Sequence, residues 1–154
     1  AVRLPLEIPG LWHRDPLPMG ARIGDVVYSS VIGGDDPATG RPIAGAEAQI
    51  EQAFENVRVL MQQAGGDACG VSHLWVFLPR DFQHQKAMLS SYLRMFPDEG
   101  ARPARKTVPY DLPEGAHIQI QMTGRVGGAR RQRQHGGDDD RRRAQPVYNP
   151  SHFL

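Results

Sequence analysis

The sequence predicts a single α+β domain in which a β-sheet carries two helices on one of its faces. Segments rich in β-branched and aromatic residues are separated by two segments with the apolar spacing of an amphipathic helix. The length of 154 residues is enough for one domain and too short for two ordinary ones. Hydrophobic residues make up 40% and charged residues 23% of the chain, which is typical of a protein with a packed core.

The first predicted elements are a strand, a turn and a helix. Residues 26–32 have the composition of a strand that ends at the following glycine pair, and a further short strand is expected before it. Residues 36–40 have proline and glycine at positions that favour a turn. From residue 44 to 64, apolar spacings of 4, 3, 4 and 3 predict an amphipathic helix closed by Gly65 and Gly66. Its apolar stripe consists of Ile50, Phe54, Val57, Met61 and Ala64.

Four more elements complete the predicted order β–α–β–α–β–β. Residues 71–78 form a nearly continuous apolar strand, and a second helix is expected from Asp81, as its N-cap, to Phe96. Pro97 and Gly100 end that helix. Residues 105–110 form a short strand, and residues 117–123 alternate as the last strand. Right-handed crossover connections then put both helices on the same face of one sheet.

The strand at 71–78 predicts an oligomer, because it is apolar on both of its faces. Leu74, Val76 and Leu78 would face the helices, whereas Val71, His73, Trp75 and Phe77 would face the opposite side. A monomer would leave this second set in water, and exposed surfaces of that kind usually mark an interface. We therefore expect further copies of the chain to cover the open face. A lid formed by the N-terminal segment and the C-terminal tail is the alternative.

The charge of the chain divides it into a domain at 1–126 and an Arg/Gly/Asp-rich tail at 127–154. Residues 125–154 contain seven arginines and three aspartates, a net charge of +4, whereas residues 1–124 have a net charge of −3. The first part of the tail has almost nothing apolar to bury, and we expect it to be solvated. Residues 146–154 regain apolar side chains, so the end of the tail is a candidate to dock. Because aspartates interrupt the basic run, nucleic acid is not the expected partner.

Few residues indicate chemistry by themselves. No apolar run reaches the roughly 20 residues of a membrane-spanning helix, and no leader opens the chain, so we expect a cytoplasmic protein with no membrane partner. The single cysteine, Cys69, excludes an intrachain disulfide, and the six histidines lack the spacing of a metal site. Asp35 and Asp36 are expected to cap a turn rather than to bind a cation. Arg105, just after Pro103, is a candidate for binding a carboxylate through two parallel hydrogen bonds; an ordinary surface arginine is the alternative.

Several segments together resemble the Rid family, the reactive intermediate deaminases that are also called YjgF-like. They are, in chain order, Val27-Tyr28-Ser29-Ser30, Pro37-Ala38-Thr39-Gly40, Gln52-x-x-x-Asn56-Val57, Ala64-Gly65, Tyr92-x-x-x-Phe96-Pro97, Pro103-Ala104-Arg105 and Leu112-Pro113. The resemblance extends over residues 17–125, and it is specific because the segments follow in the order and spacing of the family. It implies a chorismate-mutase-like fold, a homotrimer and sites in the clefts between subunits.

The resemblance also implies a reaction. The best-known members of the family hydrolyse reactive 2-imino or 2-enamino acids to 2-keto acids and ammonia. Arg105 corresponds to the arginine that holds the substrate carboxylate, and the amide of Val31, which follows Ser30, corresponds to a second carboxylate contact. The substrate implied for this chain is thus a small imine or enamine that bears a carboxylate.

The chain departs from the family pattern at four of the implied site positions. Val31 stands where the family usually has a glycine, which narrows the pocket but keeps the amide donor. Gln119 stands where the family has a glutamate that positions the attacking water, Leu17 where it has a tyrosine at the pocket mouth, and Thr107 where it has a cysteine. The implied catalytic residues are Arg105 and Gln119, and the implied substrate-binding residues are Arg105, Val31, Ser30, Leu17 and Thr107. Trp12 and His13 are further candidates to line the same cleft.

These departures leave three functions open, because a glutamine orients a water but cannot accept its proton at neutral pH. The leading prediction is an imine or enamine deaminase, for a small imino acid or for a larger enamine of the aminomuconate type. The second is a non-catalytic trimer that binds a small carboxylate as a sensor or regulator. RNA binding or cleavage is a distant third. No cluster of residues implies a cofactor or a metal.

Overall fold

Residues 2–127, which a computed structural model describes, form nine strands and two α-helices. The strands are β1 (Arg3–Leu6), β2 (Gly20–Ile23), β3 (Val26–Ser29), β4 (Ile32–Gly33), β5 (Asp35–Asp36), β6 (Arg41–Pro42), β7 (Val71–Leu78), β8 (Ala104–Pro109) and β9 (Gln119–Arg125). The helices are α1 (Ala46–Gln63) and α2 (Gln85–Met95). The predicted tail at 127–154 and the docking of its end lie, apart from its first residue, outside the described residues.

Most of the strands join into one mixed sheet. Its order is β1-β2-β3-β9-β7-β8, and β4 also pairs with β9. Strands β7 and β8 are parallel, and the remaining pairs of this sheet are antiparallel. Strands β5 and β6 form a small separate hairpin, in which Asp36 accepts hydrogen bonds across the predicted turn. The short strand predicted before residue 26 is confirmed, and two strands, β1 and β2, occupy that part of the chain.

The predicted continuous strand at 26–32 is wrong in its middle, because the ladder with β9 breaks there. Tyr28 pairs with Thr123 and Ile32 pairs with Ile120, which leaves three residues on one side opposite two on the other. The extra residue forms a bulge that leaves Ser30 and Val31 outside the ladder. The side chain of Ser29 compensates, since its Oγ accepts the backbone N–H of Met122 at 2.8 Å. The bulge therefore separates β3 from β4 just beside the predicted carboxylate contact.

Both helices lie on one face of the sheet, as predicted. The whole predicted stripe of α1 is buried, and so are Leu74, Val76 and Leu78 of β7. Helix α1 ends as expected, with a left-handed Gly65 and a hydrogen bond from the Gly66 amide to the carbonyl of Met61. No helix among the described residues has both the length and the apolar character needed to cross a membrane.

The predicted N-cap of the second helix, Asp81, is wrong by three residues. Helix α2 begins at Gln85 with His84 as its N-cap. A separate turn precedes it, in which the amide of Phe82 donates to the carbonyl of Pro79 at 3.1 Å. The side-chain amide of Gln85 then donates to the carbonyl of Phe82 at 3.0 Å. The turn uses the residues that were expected to form the first helical turn.

The opposite face of the sheet carries a row of aromatic side chains. Ring centroids of His73, Trp75, Phe77 and Tyr110 follow one another at 5.8, 6.4 and 5.6 Å. Trp75 is 43% exposed and Tyr110 is 54% exposed. The N-terminal segment does not cover this row, because it extends the sheet sideways as β1, so that part of the lid alternative is wrong.

Val71 does not belong to this open face, which corrects the alternation predicted for its strand. A register shift between Val71 and His73 interrupts the pairing of β7 with β9. Because of that shift, Val71 turns into the core, where it is 6% exposed.

Candidate functional site

A cavity of about 230 Å³ opens beside the bulge between β3 and β4. Two of the predicted site residues, Val31 and Gln119, line it, and so do the further candidates Trp12 and His13. Gln119 is the first residue of β9, where it pairs with Gly33 on one side and with Phe77 on the other. The rest of the wall consists of Leu11, Met19, Gly33, Gly34, Asp35, Pro42, Gln49, Pro113, Glu114, Ala116 and Ile118.

Asn56 of α1 fixes the wall that contains β4 and β5. Its side chain is fully buried, and its Nδ2 donates to the carbonyls of Gly33 at 3.0 Å and Asp35 at 2.9 Å. Its Oδ1 accepts from Nε2 of Gln52 at 2.8 Å. These three bonds satisfy the amide and tie the strand ends beside the cavity to the helix.

Gln49, near the start of α1, fixes another part of the cavity wall. Its Nε2 donates to the carbonyls of Ile43 and Gly115, at 3.1 and 2.9 Å, and its Oε1 accepts the backbone amide of His117 at 2.6 Å. Gly34 allows the close packing that this requires, since a Cβ at that position would lie 2.1 Å from the carbonyl oxygen of Gln49. The walls are therefore held by a helix rather than by loops alone.

Ser30 links His13 to the main chain at the edge of the cavity. Its Oγ donates to the carbonyl of Met19 at 2.9 Å, and Nε2 of His13 lies 2.6 Å from the same Oγ. A serine hydroxyl has one proton, and that proton is used on Met19. Nε2 of His13 is therefore the donor, which leaves Nδ1 as the nitrogen that carries the lone pair in the neutral ring.

Asp35 and Asp36, which the sequence treats as a pair, have different environments. Asp36 caps the predicted turn, with its Oδ1 accepting the amide of Ala38 at 2.8 Å. Asp35 instead lines the cavity, where burial raises the pKa of its carboxyl above the ordinary value of 3.8 and the positive charge of His13 partly offsets this. No group of three metal-ligating side chains occurs within residues 2–127.

Replacing Asp35 with asparagine is expected to stabilise the protein at neutral pH. Because the pKa of Asp35 is raised in the folded state, ionisation of the carboxyl opposes folding once the pH exceeds that value. As the pH falls through the raised pKa and then below the ordinary value of 3.8, the carboxyl becomes protonated in both the folded and unfolded states, so the benefit of the asparagine shrinks and disappears. Thermal unfolding of the wild type and of Asp35→Asn between pH 3.5 and 8 measures this, and an unchanged difference in Tm across the range would contradict it.

Arg105 lies away from the cavity, on the edge strand β8. Its guanidinium carbon is 4.6 Å from the centre of the Tyr92 ring, and its Nη1 is 3.5 Å from Sδ of Met88. The hydroxyl of Tyr92 donates to the carbonyl of Pro103 at 2.8 Å, so one tyrosine holds both the strand and its arginine. Burial raises the pKa of Tyr92, which keeps the phenol in its protonated, donating form.

The predicted site residues therefore form two separate groups within one chain. Val31 and Gln119 line the cavity with Ser30 beside them, whereas Arg105 and Thr107 lie on β8. Strand β7 lies between β8 and β9, so the two groups are two strand spacings, about 10 Å, apart across the sheet.

Two other features of the surface add nothing to either group. Leu17 is 45% exposed and is not part of the cavity wall. A second, open depression of about 310 Å³ lies around Arg80 and Asp111 and contains none of the predicted residues.

Sequence reasoning missed two residues of this region. The sequence predicts a turn cap for Asp35 together with Asp36, and no motif in it points to Gln49. A signal for Gln49 does exist, since it directly precedes Ile50 on the buried stripe of α1 and is itself 2% exposed. Polar residues at the border of an apolar helix face are usually buried only when they are fully hydrogen-bonded.

Comparisons with known proteins agree with this fold. A RutC family protein of Aquifex aeolicus is 26% identical over 113 residues, which are 70% of this chain and 90% of that protein. The crystal structure of RidA from the Antarctic bacterium Psychrobacter sp. PAMC 21119 is 25% identical, covers 80% of this chain and 99% of its own, and has a TM-score of 0.73. The crystal structure of the YjgF gene product of E. coli is 23% identical and has a TM-score of 0.70. The match covers 79% of this chain and 98% of the E. coli chain. No family model matches the chain.

Proposed function

We propose, from the resemblance to the Rid family that these similarities confirm, that the chain hydrolyses a small 2-imino or 2-enamino acid to the oxo acid and ammonia. The observation that carries the proposal is the fixed position of Arg105 on the edge strand, against Tyr92 and Met88. A guanidinium whose position is fixed in this way binds a carboxylate with little further loss of conformational entropy.

The complete site is proposed to form between copies of the chain. Arg105 and the cavity with Val31 and Gln119 are too far apart for one small acid to reach both within one subunit. The exposed aromatic row on the open sheet face supports the same conclusion, because association of copies would bury it. A homotrimer with a cleft at each subunit boundary, as the resemblance implies, satisfies both requirements.

The proposed reaction needs positioning more than it needs a strong catalyst. A carboxylate next to the C=N group makes the imine carbon electrophilic, and a water held about 3 Å away is in range to attack. Arg105 and the amide of Val31 would hold the carboxylate, while the side chain of Gln119 would orient the water.

Replacing Arg105 with alanine is expected to lower kcat/KM for 2-iminopropionate by roughly 100- to 1,000-fold, since two hydrogen bonds to a charged group are lost. Arg105→Lys keeps the charge but loses the parallel pair, so an intermediate rate is expected. The imine is generated in situ with an amino-acid oxidase, and its interception by semicarbazide is the measurement.

Arg94→Ala is the matched control for this experiment. Arg94 is an exposed arginine of α2 whose Nη1 is 3.2 Å from Glu51, and its removal should leave the rate unchanged. If the wild-type protein does not speed imine loss, or if Arg105→Ala remains as active as Arg94→Ala, imine hydrolysis at this site is wrong.

A non-catalytic carboxylate-binding role is the second candidate, and Gln119 is the residue that favours it. In that case calorimetry should detect binding of pyruvate to the wild type, with no binding to Arg105→Ala, in a protein that leaves imine decay unchanged.

A role with RNA rests on the basic tail, which lies outside the described residues. The cytoplasm stays our prediction for the location of the protein.

A further inference from the structure

Three ionisable side chains that no motif assigns to the reaction line the cavity, and two of them, His13 and Asp35, are not exposed. His13 and Asp35 come from different segments, before β2 and within β5, and both line the cavity together with Gln119. We infer that His13 is the proton acceptor of the proposed hydrolysis and that Asp35 is a positioning residue that stabilises the imidazolium formed. This inference rests on the proposed function and names the residues that would move the proton.

The hydrogen bonds of His13 prepare it for this role. Two linked hydrogen bonds fix the orientation of the ring and the nitrogen that bears the proton. The first joins Nε2 of His13 to Oγ of Ser30, and the second joins that Oγ to the carbonyl of Met19. The other nitrogen, Nδ1, is then the acceptor in the neutral ring. Ser30 directly precedes Val31, so the same short segment holds the imidazole and the proposed carboxylate contact.

Asp35 supplies the negative charge that an imidazolium needs. Its carboxyl lines the same cavity as the ring of His13. Burial raises the pKa of this carboxyl, and a positive charge on His13 lowers it again, so the two charged forms favour each other. Asn56 and the hairpin hold the backbone of Asp35 in place. A fixed carboxylate near a histidine favours the charged ring without itself taking the proton, as in the catalytic triads of hydrolases.

The remaining groups of the cavity do not provide this function. Gln119 has no titratable group, and Glu114, the other ionisable residue on the cavity wall, has an exposed position. A carboxylate in open solvent is a weak base near neutral pH, whereas an imidazole has its ordinary pKa in that range. His13 and Asp35 are therefore the pair that compensates for the glutamine in place of the family's glutamate.

The proposed steps balance without any further reactant. The water oxygen bonds to the imine carbon, one water proton passes to Nδ1 of His13, and the C=N π electrons go to nitrogen. The imidazolium then returns this proton to nitrogen, which gives the neutral carbinolamine. In the second half, nitrogen takes up a proton from solvent and leaves as ammonia with the C–N bonding pair, the hydroxyl proton passes to His13, and the C=O bond forms. His13 then releases that proton to solvent, which restores the neutral imidazole. The net change is imine plus water to oxo acid plus ammonia.

His13→Gln tests this inference, because a glutamine Nε2 can still donate to Ser30 but cannot accept a proton. We expect kcat for 2-iminopropionate to fall about 100-fold with KM nearly unchanged. The wild-type rate should decrease at acid pH, since a protonated imidazole has no lone pair, and this decrease should be missing in His13→Gln. Asp35→Asn should give a smaller loss of kcat, about 10-fold, and should keep the acid decrease.

Two controls separate a catalytic role from a structural one. Activity of His13→Ala should increase when imidazole is added to the assay, whereas His84→Gln, which changes a histidine outside the cavity, should behave as the wild type in rate and pH profile. An active, Arg105-dependent wild type with an unchanged rate and pH profile in His13→Gln would overturn this inference alone. A wild type without activity would overturn the proposed function instead.

Discussion

Substituting Trp75 with glutamate is expected to convert the proposed oligomer to a monomer and to abolish the proposed imine hydrolysis. Trp75 is in the middle of the aromatic row on the open face and is 43% exposed in the single chain. A carboxylate there is tolerated in the monomer, because the ammonium of Lys106 is 5.6 Å from the ring it replaces. In an interface between copies the same charge is desolvated, which costs several kcal/mol per subunit.

The loss of activity follows from the separation of the two groups of site residues. A monomer keeps the cavity with Val31 and Gln119 and keeps Arg105 on β8, but it no longer brings them to the same substrate. Size-exclusion chromatography with light scattering gives the mass, and the semicarbazide assay gives the rate on the same sample. The mass and the rate of imine loss are expected to decrease together.

Leu93→Glu is the matched control for this substitution. Leu93 is an exposed apolar residue of α2, on the helix side of the sheet, so the same chemical change should leave both mass and rate as they are. A Trp75→Glu protein of unchanged mass would mean that the open face is not an interface. A monomeric variant that still hydrolyses the imine would mean that one chain contains a complete site.

Periodicity was sufficient to predict most of the fold, because the buried stripe of α1 and the alternation in β7 follow directly from the geometry of helices and strands. It failed where the backbone leaves that geometry. The bulge at Ser30 and Val31 and the register shift after Val71 each depend on pairing with β9, which is distant in sequence. A composition typical of a strand contains no information about an extra residue opposite such a partner.

The site was predictable only in part, for the same reason. Arg105 and Gln119 stand out through motifs, whereas Asp35 matters because it lines the same cavity as His13, from which it is separated by 22 positions. The hydrogen bond that fixes the tautomer of His13 likewise depends on Ser30 and Met19 meeting across a strand pair. Contacts of this kind follow from the topology and not from local sequence.

Asn56→Leu is expected to cost the folded protein about 2–5 kcal/mol, because it leaves two partly buried carbonyl groups without their donor. The leucine fits the volume approximately, so the effect comes from the lost hydrogen bonds to Gly33 and Asp35 and not from a cavity. A loss of this size corresponds to a decrease of roughly 10 °C in Tm for a domain of this length. Thermal unfolding followed by circular dichroism measures it.

Gln52→Ala distinguishes this effect from a general weakening of α1. That substitution removes the donor to Oδ1 of Asn56 but leaves both bonds from its Nδ2 in place, so a loss of about 1 kcal/mol or less is expected. Asn56 also holds the backbone of Asp35. Asn56→Leu should therefore lower kcat even at temperatures at which the variant is still folded, whereas Gln52→Ala should not. Equal destabilisation by the two substitutions would show that the helix, rather than these two carbonyl contacts, determines the stability of the cavity wall.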